Sequence, residues 1–93
     1  MSAIQIAGLS FPHHSYDADA DVLYLGTTVP PIPIVDGDET PEGHFVGYDR
    51  RGTIVGLTIV GPRHIVNAGE PLVVTVPQPA TVAPDDLALA LGG

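Results

Sequence analysis

"GYDRRGTIVGLTIVG", residues 47–61, joins two strand-like runs through four residues that suit neither. Asp49, Arg50, Arg51 and Gly52 read as a compact turn, with Gly52 supplying the positive φ that a tight hairpin demands. Residues 43–60 are therefore expected to form one antiparallel hairpin. Along its second arm side chains alternate, so Val55, Leu57 and Ile59 share one face while Ile54, Thr58 and Val60 share the other. Both faces are largely apolar, and both need cover.

Upstream, "SYDADADVLYLGT" at 15–27 repeats the logic in shorter form. Tyr16 ends one extended run and Asp21 opens the next, which places a second hairpin with strands near 9–16 and 21–27. Asp17 is expected to hold the turn through its side chain. "AIQIAG" and "PLVVTVP" also read as strands, and no strand-like stretch has helical periodicity. Near the end "VAPDDLALALGG" reads as a short helix. Pro84 suits its first position, Asp85 and Asp86 suit the positive end of its dipole, and Gly92 stops it. Leu87 and Leu91 share the face that docks on the sheet.

The expected fold class is α+β, a small antiparallel β-sheet of hairpins with a short C-terminal helix, over residues 1–93 as one domain. One helix covers only one side of a sheet. Either the N-terminal strands fold back over the other in a small barrel or sandwich, or a second subunit covers it in a homodimer. "TVPPIPIVDGDETPEG" at 28–43 reads as a long loop, of the kind that is functional or loosely ordered. "GPRHIVNAGEP" reads as a single helical turn before Asn67–Gly69 redirect the chain.

The chain has 93 residues and no Cys, which excludes disulfides, Cys-type zinc sites, iron–sulfur clusters and thiol nucleophiles. Eleven acidic residues stand against three arginines and no lysine, for a net charge of -8. That is too little positive charge to neutralise phosphates, so no direct contact with nucleic acid is expected. The acidic surface suits solubility and a basic protein partner. The first residues lack a basic region and a long apolar region, and no run approaches ~18 apolar residues. The expectation is a cytoplasmic protein without membrane contact.

Asp17, Asp19 and Asp21 match the D-x-D-x-D opening of a calcium loop. Val22 and Thr28 then stand where that loop needs Gly and a bidentate Glu, so no metal is expected. His13 and His14 are adjacent and on a strand face opposite ways. His44 with Asp17 or Asp21 is the candidate general acid–base pair, although no H-x-x-x-H or H-E-x-x-H spacing supports a metal site. There is no G-x-S-x-G elbow around Ser2, Ser10 or Ser15, no G-x-G-x-x-G and no P-loop lysine, so no nucleotide cofactor is expected. "PPIP" satisfies P-x-x-P and reads as a stiff linker.

Tyr16–Leu25, a Tyr–Asp pair with a short Ala/Asp turn and a strand, together with the Tyr48–Val60 hairpin, resembles the YuzE-like bacterial family known as domain of unknown function 2283. "TPEGH" at 40–44 and "LVVTVP" at 72–77 resemble a longer subgroup with an extra strand and helix, so that the likeness runs from residue 8 onward. The resemblance implies a small α+β fold with an antiparallel sheet and carries no agreed catalytic residues. Some members stand beside small toxin-like genes, which implies an antitoxin-like or regulatory, partner-binding role. "GPRHIVNAG" departs from the pattern, with Pro and Gly where the family often has a helix.

Two functions are thus weighed. The first is a non-enzymatic dimeric interaction module whose acidic residues Asp36, Asp38, Glu39 and Glu42 recognise a basic partner. The alternative is a small metal-dependent or His/Asp-based hydrolase-like enzyme using His44, which requires an imidazole within about 3.2 Å of a carboxylate in a concave pocket.

Overall fold

The computed structural model describes residues 4–75 and 78–92. Among these residues nine short strands and two helices make a small α+β fold: β1 (Ile4–Ile6), β2 (Leu9–Phe11), β3 (His13–Asp17), β4 (Val22–Gly26), β5 (Asp36–Glu39), β6 (Phe45–Tyr48), β7 (Ile54–Val60), α1 (Pro62–Asn67), β8 (Leu72–Val74), β9 (Ala80–Val82) and α2 (Pro84–Ala90). The main sheet has five antiparallel strands in the order β3-β4-β7-β6-β5, with the hairpins β1–β2 and β8–β9 apart from it.

The expected hairpin over 43–60 is β6 and β7. Its turn is closed by Asp49, whose carboxylate accepts the N–H groups of Arg51 at 2.8 Å and Thr53 at 3.0 Å, while Gly52 takes φ 77. The run 9–16 is not one strand. Pro12 has no N–H to give a ladder and divides it, so that Phe11 pairs with Ile4 in one sheet and His13 with Gly26 in another. Residues 62–67 are helical: Pro62 sits at the first helical position, where a missing N–H costs nothing because that group has no intrahelical acceptor.

One face of the main sheet carries the core. Leu23, Leu25, Val46, Leu57 and Ile59 are buried there against Ile6 and Phe11 of the first hairpin, Leu72 and Val74 of β8, and Leu87, Ala90 and Leu91 at α2. Full burial of each large side chain contributes about 1.5–3 kcal/mol. The N-terminal strands thus join the same cover as the helix and do not fold back over the opposite, outer face.

The outer face is crossed instead by the connection from β4 to β5, which has to pass β7 and β6 to reach the far edge. It does so along a row without side chains, because Gly26, Gly56, Gly47 and Gly37 are in register on four neighbouring strands. The Ile34 side chain lies in this trough over Gly47 and Gly56, and Pro31 lies against Gly26. Thr27 N–H to Val55 O at 3.0 Å and Val35 N–H to Tyr48 O at 2.9 Å tie down the ends of this strap. The expected loop 28–43 is therefore a strap over the sheet followed by an edge strand, β5. Among the described residues no helix is long and apolar enough to cross a membrane.

Candidate functional site

The β3–β4 turn places two of the candidate aspartates. Asp17 Oδ1 accepts the N–H groups of Asp19 at 3.1 Å and Ala20 at 3.2 Å, which bends the chain into a tight loop. Asp21 follows at φ 53, a left-handed conformation that Asp tolerates better than most residues. From there its carboxylate reaches α1, with Oδ1 accepting Arg63 N–H at 3.0 Å and Oδ2 accepting His64 N–H at 3.4 Å. Its carbonyl accepts Gly61 N–H at 2.8 Å. Gly61, at the N-cap position, has no side chain to satisfy these donors, so an aspartate forty-two residues upstream of Arg63 does.

Tyr16 completes the cluster. Its hydroxyl donates to Asp21 Oδ1 at 2.7 Å, and the Arg63 guanidinium stands 5.8 Å from its ring centre. Burial pushes the Asp21 carboxyl up, but the hydrogen bonds from Arg63 N–H, the Tyr16 hydroxyl and His64 N–H outweigh it and hold the group below the ordinary carboxylate value. The hydrogen bond to Asp21, aided by burial, raises the Tyr16 hydroxyl against the opposing Arg63.

His44 ends the Thr40–His44 turn that joins β5 to β6. In that turn Thr40 N–H donates to His44 O at 2.6 Å, Gly43 N–H to Thr40 O at 3.0 Å, and His44 N–H to Thr40 Oγ1 at 3.1 Å. The imidazole is 4 % exposed, and its Nδ1 accepts Val60 N–H at 3.0 Å. This bond lies past the last β6–β7 pair, Phe45 with Thr58, so the side chain continues a ladder that the backbone has left. An accepting Nδ1 puts the proton of the neutral ring on Nε2. Burial depresses the His44 pKa, against the pull of the Glu42 charge.

His44 and the two aspartates are thus spent on different backbone groups. Among the described residues no three His, Asp or Glu side chains stand together as a metal site.

The four acidic residues expected to meet a partner divide. Asp36, Asp38 and Glu39 lie on β5, whose four residues are all exposed at the sheet edge. Asp36 pairs with Tyr48 and Asp38 with Val46, which puts both on the core side of the edge, while Glu39 opposite Phe45 looks outward. Tyr48 is raised by burial first and then by its hydrogen bond to Asp38. Glu42 belongs instead to the turn: it accepts the Thr75 hydroxyl at 2.8 Å, and the hydrogen bonds led by that one outweigh burial and lower its pKa.

Sequence reasoning expected an apolar second face on β7 and missed the residues of other elements that extend it. Tyr24 and Phe45 flank Thr58 there, and the strap adds Ile32 and Ile34. The signal was present in "VLYLG" and "HFVGY", where one large apolar residue falls out of phase with its buried neighbours.

No curated protein and no solved structure matches the chain. A family model described as "Protein of unknown function (DUF2283)" matches residues 14–61, which includes both Tyr16–Leu25 and Tyr48–Val60 and is shorter than the likeness drawn from residue 8 onward. The chain belongs to that family of proteins of unknown function.

Proposed function

We propose that this chain is a single-domain, non-enzymatic interaction module that works as a homodimer and holds a basic protein partner on its acidic edge strand. The observation that carries the reading is β5: an exposed edge strand with Asp36, Asp38 and Glu39 on it and, among the described residues, no further strand on its outer side. An extended basic segment laid along such an edge gains main-chain hydrogen bonds and meets opposite charge. The polar side chains that suggested catalysis support the same reading, because Asp17, Asp21 and His44 each satisfy a backbone donor. An antitoxin-like or regulatory role would use the edge in this way, to hold a basic protein out of action.

The test is an amide-resolved NMR titration of the full chain with an arginine-rich decapeptide. Shifts concentrated at residues 36–39, weakened by salt and abolished by Asp36→Asn, Asp38→Asn and Glu39→Gln together, support the reading. Shifts scattered over the surface, or equal affinity in the triple variant, refute it.

A further inference from the structure

We infer that the outer face of the main sheet, roofed in part by the strap, is where a second copy of this chain docks. The inference rests on the dimeric reading above and places its interface. Val60, Tyr24 and Phe45 stand on that face, with 42 %, 46 % and 46 % of their surface exposed. Ile32 and Ile34 of the strap are 39 % and 55 % exposed. Together they present on the order of 500 Å² of apolar surface. A stable dimer buries roughly 800 Å² per partner, of which about 60 % is apolar, so the patch has the extent that such an interface requires.

Charge selects the occupant. On the three central strands the outward positions are Val22, Tyr24 and Gly26, then Gly56, Thr58 and Val60, then Phe45 and Gly47, and none of them is charged. The charged outward residues, Asp17 and Glu39, lie on the two edge strands and are both acidic. A basic protein finds nothing to pair with at the centre of this face. A second copy carrying the same charge of -8 finds there a region without like-charge repulsion. A two-fold arrangement sets each patch against the same patch, with the two Ile34 knobs and the aromatic pairs of Tyr24 and Phe45 free to interdigitate. With no ion pair at its centre, the contact tightens as salt screens the net repulsion, whereas binding of a basic partner to β5 weakens.

The experiment is sedimentation equilibrium of the full chain across concentration at low and high salt. It compares wild type with Phe45→Glu, with Tyr24→Glu as a second face variant, and with Leu89→Glu, which charges an apolar residue 70 % exposed on α2. Circular dichroism confirms folding, and Phe45→Ser replaces the first variant if it fails to fold. The expected result is a wild-type dimer tightened by salt, a roughly tenfold or greater rise in its dissociation constant for either face variant, and none for Leu89→Glu. A dimer that survives both face variants overturns this placement and leaves the dimeric reading standing. A wild type that is monomeric throughout overturns both, while the peptide titration independently judges the acidic edge.

Discussion

Replacing Gly47 with Ala tests whether the strap is seated in the glycine trough. A Cβ added at Gly47 would stand 2.5 Å from Ile34 Cδ1, 2.8 Å from Cγ1 and 3.0 Å from Cγ2, where ordinary contact begins at 3.4 Å. Because Cγ1 and Cγ2 are both too close, a change of rotamer at the tip of Ile34 does not clear the new methyl, and the strap has to lift. Ile34 is 55 % exposed, so losing the rest of its cover costs about 1 kcal/mol. Forced overpacking adds about 1–3 kcal/mol, and removing a strand glycine returns about 0.5–1 kcal/mol. The net expectation is a loss of about 1–3.5 kcal/mol. Ile34→Ala alone costs about 1 kcal/mol, and in that background the Gly47→Ala change becomes neutral or slightly stabilising. Urea unfolding of the four proteins at one fixed chain concentration measures the cycle, with the coupling read as midpoint shifts at constant slope. If Gly47→Ala costs the same with and without Ile34, the strap does not occupy the trough and the reasoning is wrong.

Other outcomes follow from the capping groups. Asp21→Asn keeps a side chain that tolerates φ 53 but weakens the acceptor for Arg63 and His64 N–H, and is expected to lower stability by about 1–2 kcal/mol in urea unfolding, with Asp21→Ala lower by roughly 1 kcal/mol more for the left-handed strain. His44 has a folded pKa below its ordinary value of 6.5, so the unfolded chain takes up the proton first as pH falls. The stability His44 contributes is therefore present above 6.5 and is lost as pH falls from there toward its folded pKa. Thermal unfolding between about pH 7.5 and 5.5 should show this decline in wild type and not in His44→Gln. Asp21 and Glu42, both lowered, add a separate decline that begins near their ordinary values of 3.8 and 4.5 and continues below them, so the two windows are resolved by extending the same series. Gly52→Ala meets no neighbouring atom within 4 Å but must adopt φ 77, and should cost about 1 kcal/mol from backbone strain alone in the same assay.

What the chain revealed in advance follows the distance over which its interactions run. The Asp49–Gly52 turn and the Asp17 turn are closed by bonds spanning two to four residues, and their chemistry is visible in a short quotation of sequence. The β5 stretch "DGDE" has no strand-like composition and reads as loop, and its place in the sheet comes from backbone pairing with β6. The glycine trough needs the register of four strands before Gly26, Gly37, Gly47 and Gly56 become one feature. Asp21 caps α1 and His44 serves Val60 across gaps of 42 and 16 residues, which no local sequence pattern encodes.

Val60 and Val73 allow the most direct test of the outer face as a contact surface. Each is 42 % exposed in the single chain, Val60 on the outer face and Val73 on β8. In a methyl-resolved NMR experiment at a concentration where the chain self-associates, a soluble gadolinium chelate should relax the Val73 methyls strongly and spare those of Val60 and Ile34. Equal relaxation of Val60 and Val73, in proportion to their equal exposure, would contradict a second copy on that face.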